Sequence, residues 1–165
     1  MTMNEQDISL SHYTPIKDVD DSCERTCAQL LVYSDDLHPS AVTDLLGISP
    51  TKYAARGEKS PPNSLGLAPI GRVNGWFLSS EEHVQSKDLR RHLNWLIGQL
   101  QPRASALRQL QAKPRVRMYV SCPWWSNDGG GGVSLWPEQM LALAALNLEC
   151  TIVFADYSDE GGQQT

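Results

Sequence analysis

Arg115-Val-Arg-Met-Tyr-Val-Ser121 alternates strictly, and its reading decides the fold. Successive side chains of a strand point to opposite faces, so Val116, Met118 and Val120 share one face while Arg115, Arg117 and Tyr119 share the other. Such a strand belongs to a sheet with one covered and one wetter face, the habit of antiparallel sheets. Downstream, Pro123-Trp124-Trp125 and the glycines Gly129–Gly132 read as a strand end and a loop, leading into a short strand at Val133-Ser-Leu135. Pro137 suits the first position of a helix, which carries Met140, Leu141, Ala144 and Ala145 and stops at a left-handed Asn147. Glu149-Cys-Thr-Ile-Val-Phe-Ala155 is the last strand.

Upstream lies the longest helical pattern. Leu89, Leu93, Leu96, Ile97 and Leu100 draw one apolar stripe, with Arg90, Arg91 and Asn94 outside it and Ser86 as the N-cap. His92 and Trp95 flank the stripe as helix-edge packing residues. Pro102 ends or kinks this helix, and Leu107 with Leu110 continue a second piece. Gly75–Ser79 is a strand, residues 59–72 form a loop rich in Pro, Gly and Ser, and residues 50–58 form a short edge strand. Pro39 opens a helix over 39–46 that Gly47 closes, with Ile48 folding back onto it. Cys27–Tyr33 is the first strand.

The order β-α-β-β-α-β, then a short strand, a helix and a strand, predicts an α+β protein. Its expected form is a mainly antiparallel sheet with helices packed on one face, ferredoxin-like with a C-terminal extension. A single domain spans 25–157, between a flexible acidic leader over 1–24 and a polar tail over 158–165. Leu37-His-Pro39 with Leu46-Gly-Ile48 echoes Leu135-Trp-Pro137 with Leu146-Asn-Leu148, either as a duplication or as two uses of one capping chemistry.

The 41% apolar and 20% charged composition is that of a globular chain. No apolar run approaches the roughly 20 residues that span a bilayer. The N-terminus has neither a secretion signal nor a lipidation motif, so a cytoplasmic location is expected. Cys23, Cys27, Cys122 and Cys150 lack zinc or redox spacing and read as buried thiols. The net charge of −5 is unevenly spread. Residues 1–36 hold eight acids against Lys17 and Arg25, and residues 87–117 hold eight basic residues against Asp88 alone. No aromatic stacking motif accompanies those arginines, which argues for a solvated helix face and against nucleic acid as a partner.

Several segments together resemble the DUF4279 family of bacterial proteins. They are Asp35-Asp36-Leu37-x-Pro39, Leu45-Leu46-Gly47-Ile48-x-Pro50-Thr51, Arg56-Gly57-Glu58, Gly75-Trp76-x-Leu78-Ser79-Ser80, Asp88-Leu89, His92-Leu93-x-Trp95-Leu96, Leu100-x-Pro102 and Leu135-x-Pro137-Glu138. The resemblance covers roughly residues 27–157 and departs at His38 and Trp136, where smaller polar residues are usual. It implies a fold type and a bacterial cytoplasmic setting, and no reaction.

No G-x-S-x-G, Walker loop or H-E-x-x-H is present, and the histidines are scattered. No metal or cofactor is therefore expected. Asp35-Asp36 and Glu81-Glu82 are adjacent acids that an extended chain sends to opposite sides, and Asp35 and Asp36 read best as turn residues making Asx-type bonds. Trp124-Trp125 beside mobile glycines is the strongest exposed-site candidate, because alternation must send one indole outward. The leading expectation is a non-catalytic module that binds a protein partner at one end of the sheet, in the manner of an immunity or adaptor protein covering a toxin's site. A second is a small-molecule regulatory domain with a pocket lined by Arg56, Trp76, Trp124 and Trp125. A third is an enzyme of unfamiliar type using Asp35, Asp36 and Arg56.

Overall fold

The computed structural model describes residues 13–156, so residues 1–12 of the expected leader and the expected tail over 158–165 lie outside the described residues. In chain order the elements are β1 (Cys23–Thr26), β2 (Gln29–Ser34), α1 (Pro39–Leu46), β3 (Lys52–Ala54), β4 (Asn74–Ser79), α2 (Leu89–Leu100), a 3-10 turn (Gln101–Arg103), α3 (Ala104–Gln111), β5 (Val116–Ser126), α4 (Pro137–Ala145) and β6 (Cys150–Asp156). The chain is α+β, with a mainly antiparallel sheet. β3, β4, β2 and β5 lie side by side in that order, each antiparallel to its neighbours, and β6 adds to β5 in parallel.

β1 and β2 are two halves of one long strand. Thr26 faces Trp124 and Gln29 faces Ser121, so both halves keep one register against β5. The break between them has a chemical cause. Pro123 has no N–H to give the ladder, and its carbonyl accepts from Cys27 N at 3.4 Å and Thr26 Oγ1 at 2.8 Å. Ala28 turns instead to Ser80, donating to its Oγ at 2.9 Å and accepting from its N–H at 3.0 Å.

Alternation places Leu30 and Val32 of β2, Trp76 and Leu78 of β4, and Val120 and Cys122 of β5 in one core with Val42, Leu46, Leu93, Leu96, Leu107, Leu143 and Leu148. The stripe of α2 is buried as its spacing predicts. Arg90, however, is buried as well, because α2 is covered on a second side by residues 14–17 and by α4. The N-cap of α2 is Asp88, whose side chain accepts from Arg90 N, while Ser86 Oγ accepts from Asp88 N one step earlier. His92 is likewise fully interior. Ser80 Oγ lies 2.7 Å from its Nδ1 and the Ser86 carbonyl 2.8 Å from its Nε2, so Nε2 donates to that carbonyl, and burial favours the neutral ring.

Other boundaries shift for local reasons. The edge strand expected over 50–58 contracts to β3, and Arg56 and Lys59 instead bridge Gly71 and Ile70 across a folded-back loop. A Cβ on Gly71 would sit 2.2 Å from the Ala55 carbonyl oxygen, so this closure requires glycine. Val133-Ser-Leu135 forms no strand, and Val133 and Leu135 pack on the core without a ladder. The helix expected over 39–46 is present with His38 as its N-cap and Gly47 left-handed at φ 64°, and Asn147 closes α4 at φ 53°. Cys23, Cys27, Cys122 and Cys150 are free thiols, and burial pushes Cys23 and Cys27 up to about 11. No helix among the described residues is long and apolar enough to cross a membrane.

Leu93→Ala is expected to cost about 2–5 kcal/mol in denaturant unfolding, whereas Arg91→Ala, which removes only an exposed pair with Asp18, leaves stability nearly unchanged. Burial holds the His92 imidazole below its ordinary value of 6.5, so the unfolded chain takes up its proton first. Stability is therefore full above pH 6.5 and falls as pH drops below it. Urea midpoints measured from pH 7.5 to 5 in the wild type and in His92→Asn should converge as pH falls, with the variant lower at pH 7.5 and flatter across the range.

Candidate functional site

The sequence-predicted residues separate into two places. At one corner of the sheet, Ser34 Oγ accepts the N–H groups of Asp36 and Leu37 at 3.2 and 3.0 Å, so the turn ahead of Pro39 is built by Ser34 rather than by Asx bonds from Asp35 or Asp36. Asn74 joins this turn to the next loop, accepting from Arg56 N at 2.9 Å and donating to the Asp35 carbonyl at 3.4 Å. The side chains of Asp35, Asp36 and Arg56 are all exposed there, and Asp36 pairs with Arg115 at 3.4 Å. Trp76 does not join them. It is buried on the core face, donating from Nε1 to Thr43 Oγ1 at 3.0 Å.

The two adjacent tryptophans behave as alternation requires. Trp124 turns inward and is buried under the glycine loop, where a Cβ on Gly131 would meet its ring at 2.3 Å. Trp125 faces the other side, with the Arg25 guanidinium 4.0 Å above its ring. Trp76, Trp124, Trp125 and Arg56 thus share no wall of a common pocket. What stands beside Trp124 is β6. Phe154 stacks on Trp124 at 5.4 Å between ring centroids and remains 51% exposed, with Ile152 and Val153 exposed at 40% and 44%. From Cys150 to Ala155 this strand carries no charge, and among the described residues it pairs only with β5. Natural edge strands are usually blunted by charge, proline or a cover.

Sequence reasoning missed a third place, at the start of α2. Arg90 donates from Nε and Nη2 to both oxygens of Asp88, from Nη1 to the carbonyl and hydroxyl of Thr14, and from Nη2 to the Pro15 carbonyl, at 2.7–3.2 Å. All five guanidinium N–H groups are therefore engaged. Burial pushes the Asp88 carboxyl up, but hydrogen bonds from Arg90 and from Lys17 N outweigh it and hold Asp88 below its ordinary range. Gln139 of α4 donates to the Arg90 carbonyl at 2.8 Å, and the Trp136 ring lies 5.2 Å from the guanidinium. The indole N–H of Trp136 is buried without a partner among the described residues. A cleft of about 240 Å³ opens beside this pair, lined by Lys17, Asp20, Lys87 and Gly131 among others. The missed signal was Asp88 itself, an N-cap residue immediately before the first stripe leucine.

One further arrangement has catalytic-looking distances. His38 Nδ1 lies 2.8 Å from Ser40 Oγ, and its Nε2 lies 3.4 Å from Glu58 Oε1. That Nδ1 already accepts the Ser40 N–H as the cap of α1, and Ala41 N donates to the His38 carbonyl. Both N–H groups are thereby engaged in capping α1. Among the described residues no group of three His, Cys, Asp or Glu side chains could hold a metal ion.

A family model described as a domain of unknown function, DUF4279, matches residues 23–157. The chain belongs to the DUF4279 family. No curated protein and no solved structure matches it. The match begins at the first residue of β1 and takes in the whole sheet, so β6 and its exposed face lie within the DUF4279 domain. His38 and Trp136 both stand at helix N-caps, positions where small oxygen-bearing side chains are preferred. His38 caps α1 with a ring nitrogen, and Gln139 serves α4 instead, its Oε1 accepting from Trp136 N at 2.9 Å.

Arg90→Ala leaves the Asp88 carboxylate buried and unpaired, and a cost of about 3–5 kcal/mol is expected by chemical denaturation. The paired change Asp88→Asn with Arg90→Met should recover part of that loss in a double-mutant cycle.

Proposed function

We propose that this DUF4279 protein is a non-catalytic protein-binding module that covers a partner's site, a role of the immunity or adaptor kind in a bacterial cytoplasm. The observation that carries this reading is the uncharged outer edge of β6, with Ile152, Val153 and Phe154 left in solvent. An edge of this kind offers backbone donors and acceptors to an added strand, and alternating apolar side chains give that strand its register. Its position beside Trp124 and Trp125 agrees with a binding surface at one end of the sheet. The acidic total charge favours a basic partner, such as a toxin, by steering its approach.

In the same spirit we read the architecture as ferredoxin-like. The antiparallel order β5-β2-β4-β3, with helices between β2 and β3 and between β4 and β5, supports this, and α4–β6 would be the C-terminal extension. The half-buried Leu31, Tyr33, Phe77 and Tyr119, opposite the core-facing residues of the same strands, support helices gathered on one face.

Affinity purification from cells expressing the neighbouring genes should yield a one-to-one complex that Val153→Lys abolishes. Recovery of the chain alone, or a complex indifferent to Val153→Lys, would count against the reading.

A further inference from the structure

The arginine-rich stretch lacks an aromatic motif in sequence, but folding supplies aromatics from three separate strands. On the sheet face opposite the core, Phe77 of β4 and Tyr119 of β5 flank Leu31 of β2, with Tyr33 next along the same strand. Tyr33 meets Phe77 edge-on at 5.4 Å between centroids and lies at 27° to Tyr119 at 6.4 Å. A Cβ on Gly75 would sit 2.4 Å from the tip of Phe77, so glycine lets that ring lie down along the sheet. The three rings come from three neighbouring strands about 4.8 Å apart, so the row extends roughly 10 Å across the sheet.

Cations stand at both ends of the row. Arg117 is opposite Tyr33 and Lys52 is opposite Phe77, both exposed, and neither is in an ion pair among the described residues. A groove of about 870 Å³ continues from the row along the first half of β5 to the start of β6, and includes Tyr33, Arg117, Tyr119, Asn147 and Thr151. Glu149 is the one carboxylate lining it among the described residues. Aromatic side chains on an open sheet with flanking basic residues are the means by which sheet-based modules take unpaired bases, whose faces are hidden in a duplex.

We propose that this open face binds a single-stranded polynucleotide, with bases stacked on Tyr33, Phe77 and Tyr119 and phosphates held by Arg117 and Lys52. The rings lie on β2, β4 and β5, and the proposal does not depend on the protein-binding reading. RNA and DNA share the base and phosphate chemistry, and the test distinguishes them.

The test is fluorescence anisotropy of the full chain against a labelled mixed-sequence 12-mer as single-stranded RNA, as single-stranded DNA and as duplex. Saturable binding of a single strand in preference to the duplex is expected, and tighter binding of RNA would identify a 2′-hydroxyl contact. Tyr119→Leu should weaken binding by roughly 5- to 100-fold, and Arg117→Gln should reduce the salt slope by about 0.7. Both variants are first checked for native circular dichroism, and Phe77→Leu serves where Tyr119→Leu fails to fold. Absence of binding to either single strand up to about 100 μM, the weak limit of non-specific association, would overturn the proposal. Equal binding of duplex, or undiminished binding by a folded ring variant, would overturn it too.

Discussion

The buried pair of Arg90 and Asp88 is the contact on which the helical layer depends. A guanidinium removed from water is tolerable only when every donor is met, and here one arginine meets its N-cap carboxylate and the backbone of Thr14 and Pro15. Asp88 in turn caps α2 and accepts from Lys17 N, while Gln139 hangs α4 from the Arg90 carbonyl. Three pieces of chain far apart in sequence are thereby set relative to one another by a single salt bridge. Replacing it with apolar side chains would keep the volume but lose the directional bonds that choose this arrangement.

Period and punctuation made much of the fold legible. The alternation of 115–121, the stripe of α2, Pro39 with Gly47, and Pro137 with Asn147 are local physics, and local physics is written in neighbouring residues. Arg90 shows where this ends. Its place on the helical wheel is outside the leucine stripe, and only the return of residues 14–17 and the approach of α4 turn that side into interior. The same holds for the absent strand at 133–135, since a ladder needs a neighbour that spacing cannot reveal.

The candidate site was legible only in part. Alternation correctly demanded that Trp124 and Trp125 diverge, but it could not say that Gly131 would lie across Trp124 or that Phe154 would be the ring left in solvent. The corner formed by Asp35 and Arg56 was legible as a turn and a loop, whereas Asn74, the residue that joins them, gave no sign in its sequence context. The aromatic row of Tyr33, Phe77 and Tyr119 is a product of register, since each ring comes from a different strand.

Pro123 has a consequence for how the sheet comes apart. By silencing one donor midway along β5, it divides the longest run of paired backbone into an inner block against β2 and an outer block against β1. Cooperative opening travels along unbroken ladders, so the outer block is free to exchange its amide protons without dissolving the inner one. β6 follows β5 across that joint from Cys150 to Asp156 and acts as a splint holding the two blocks in line.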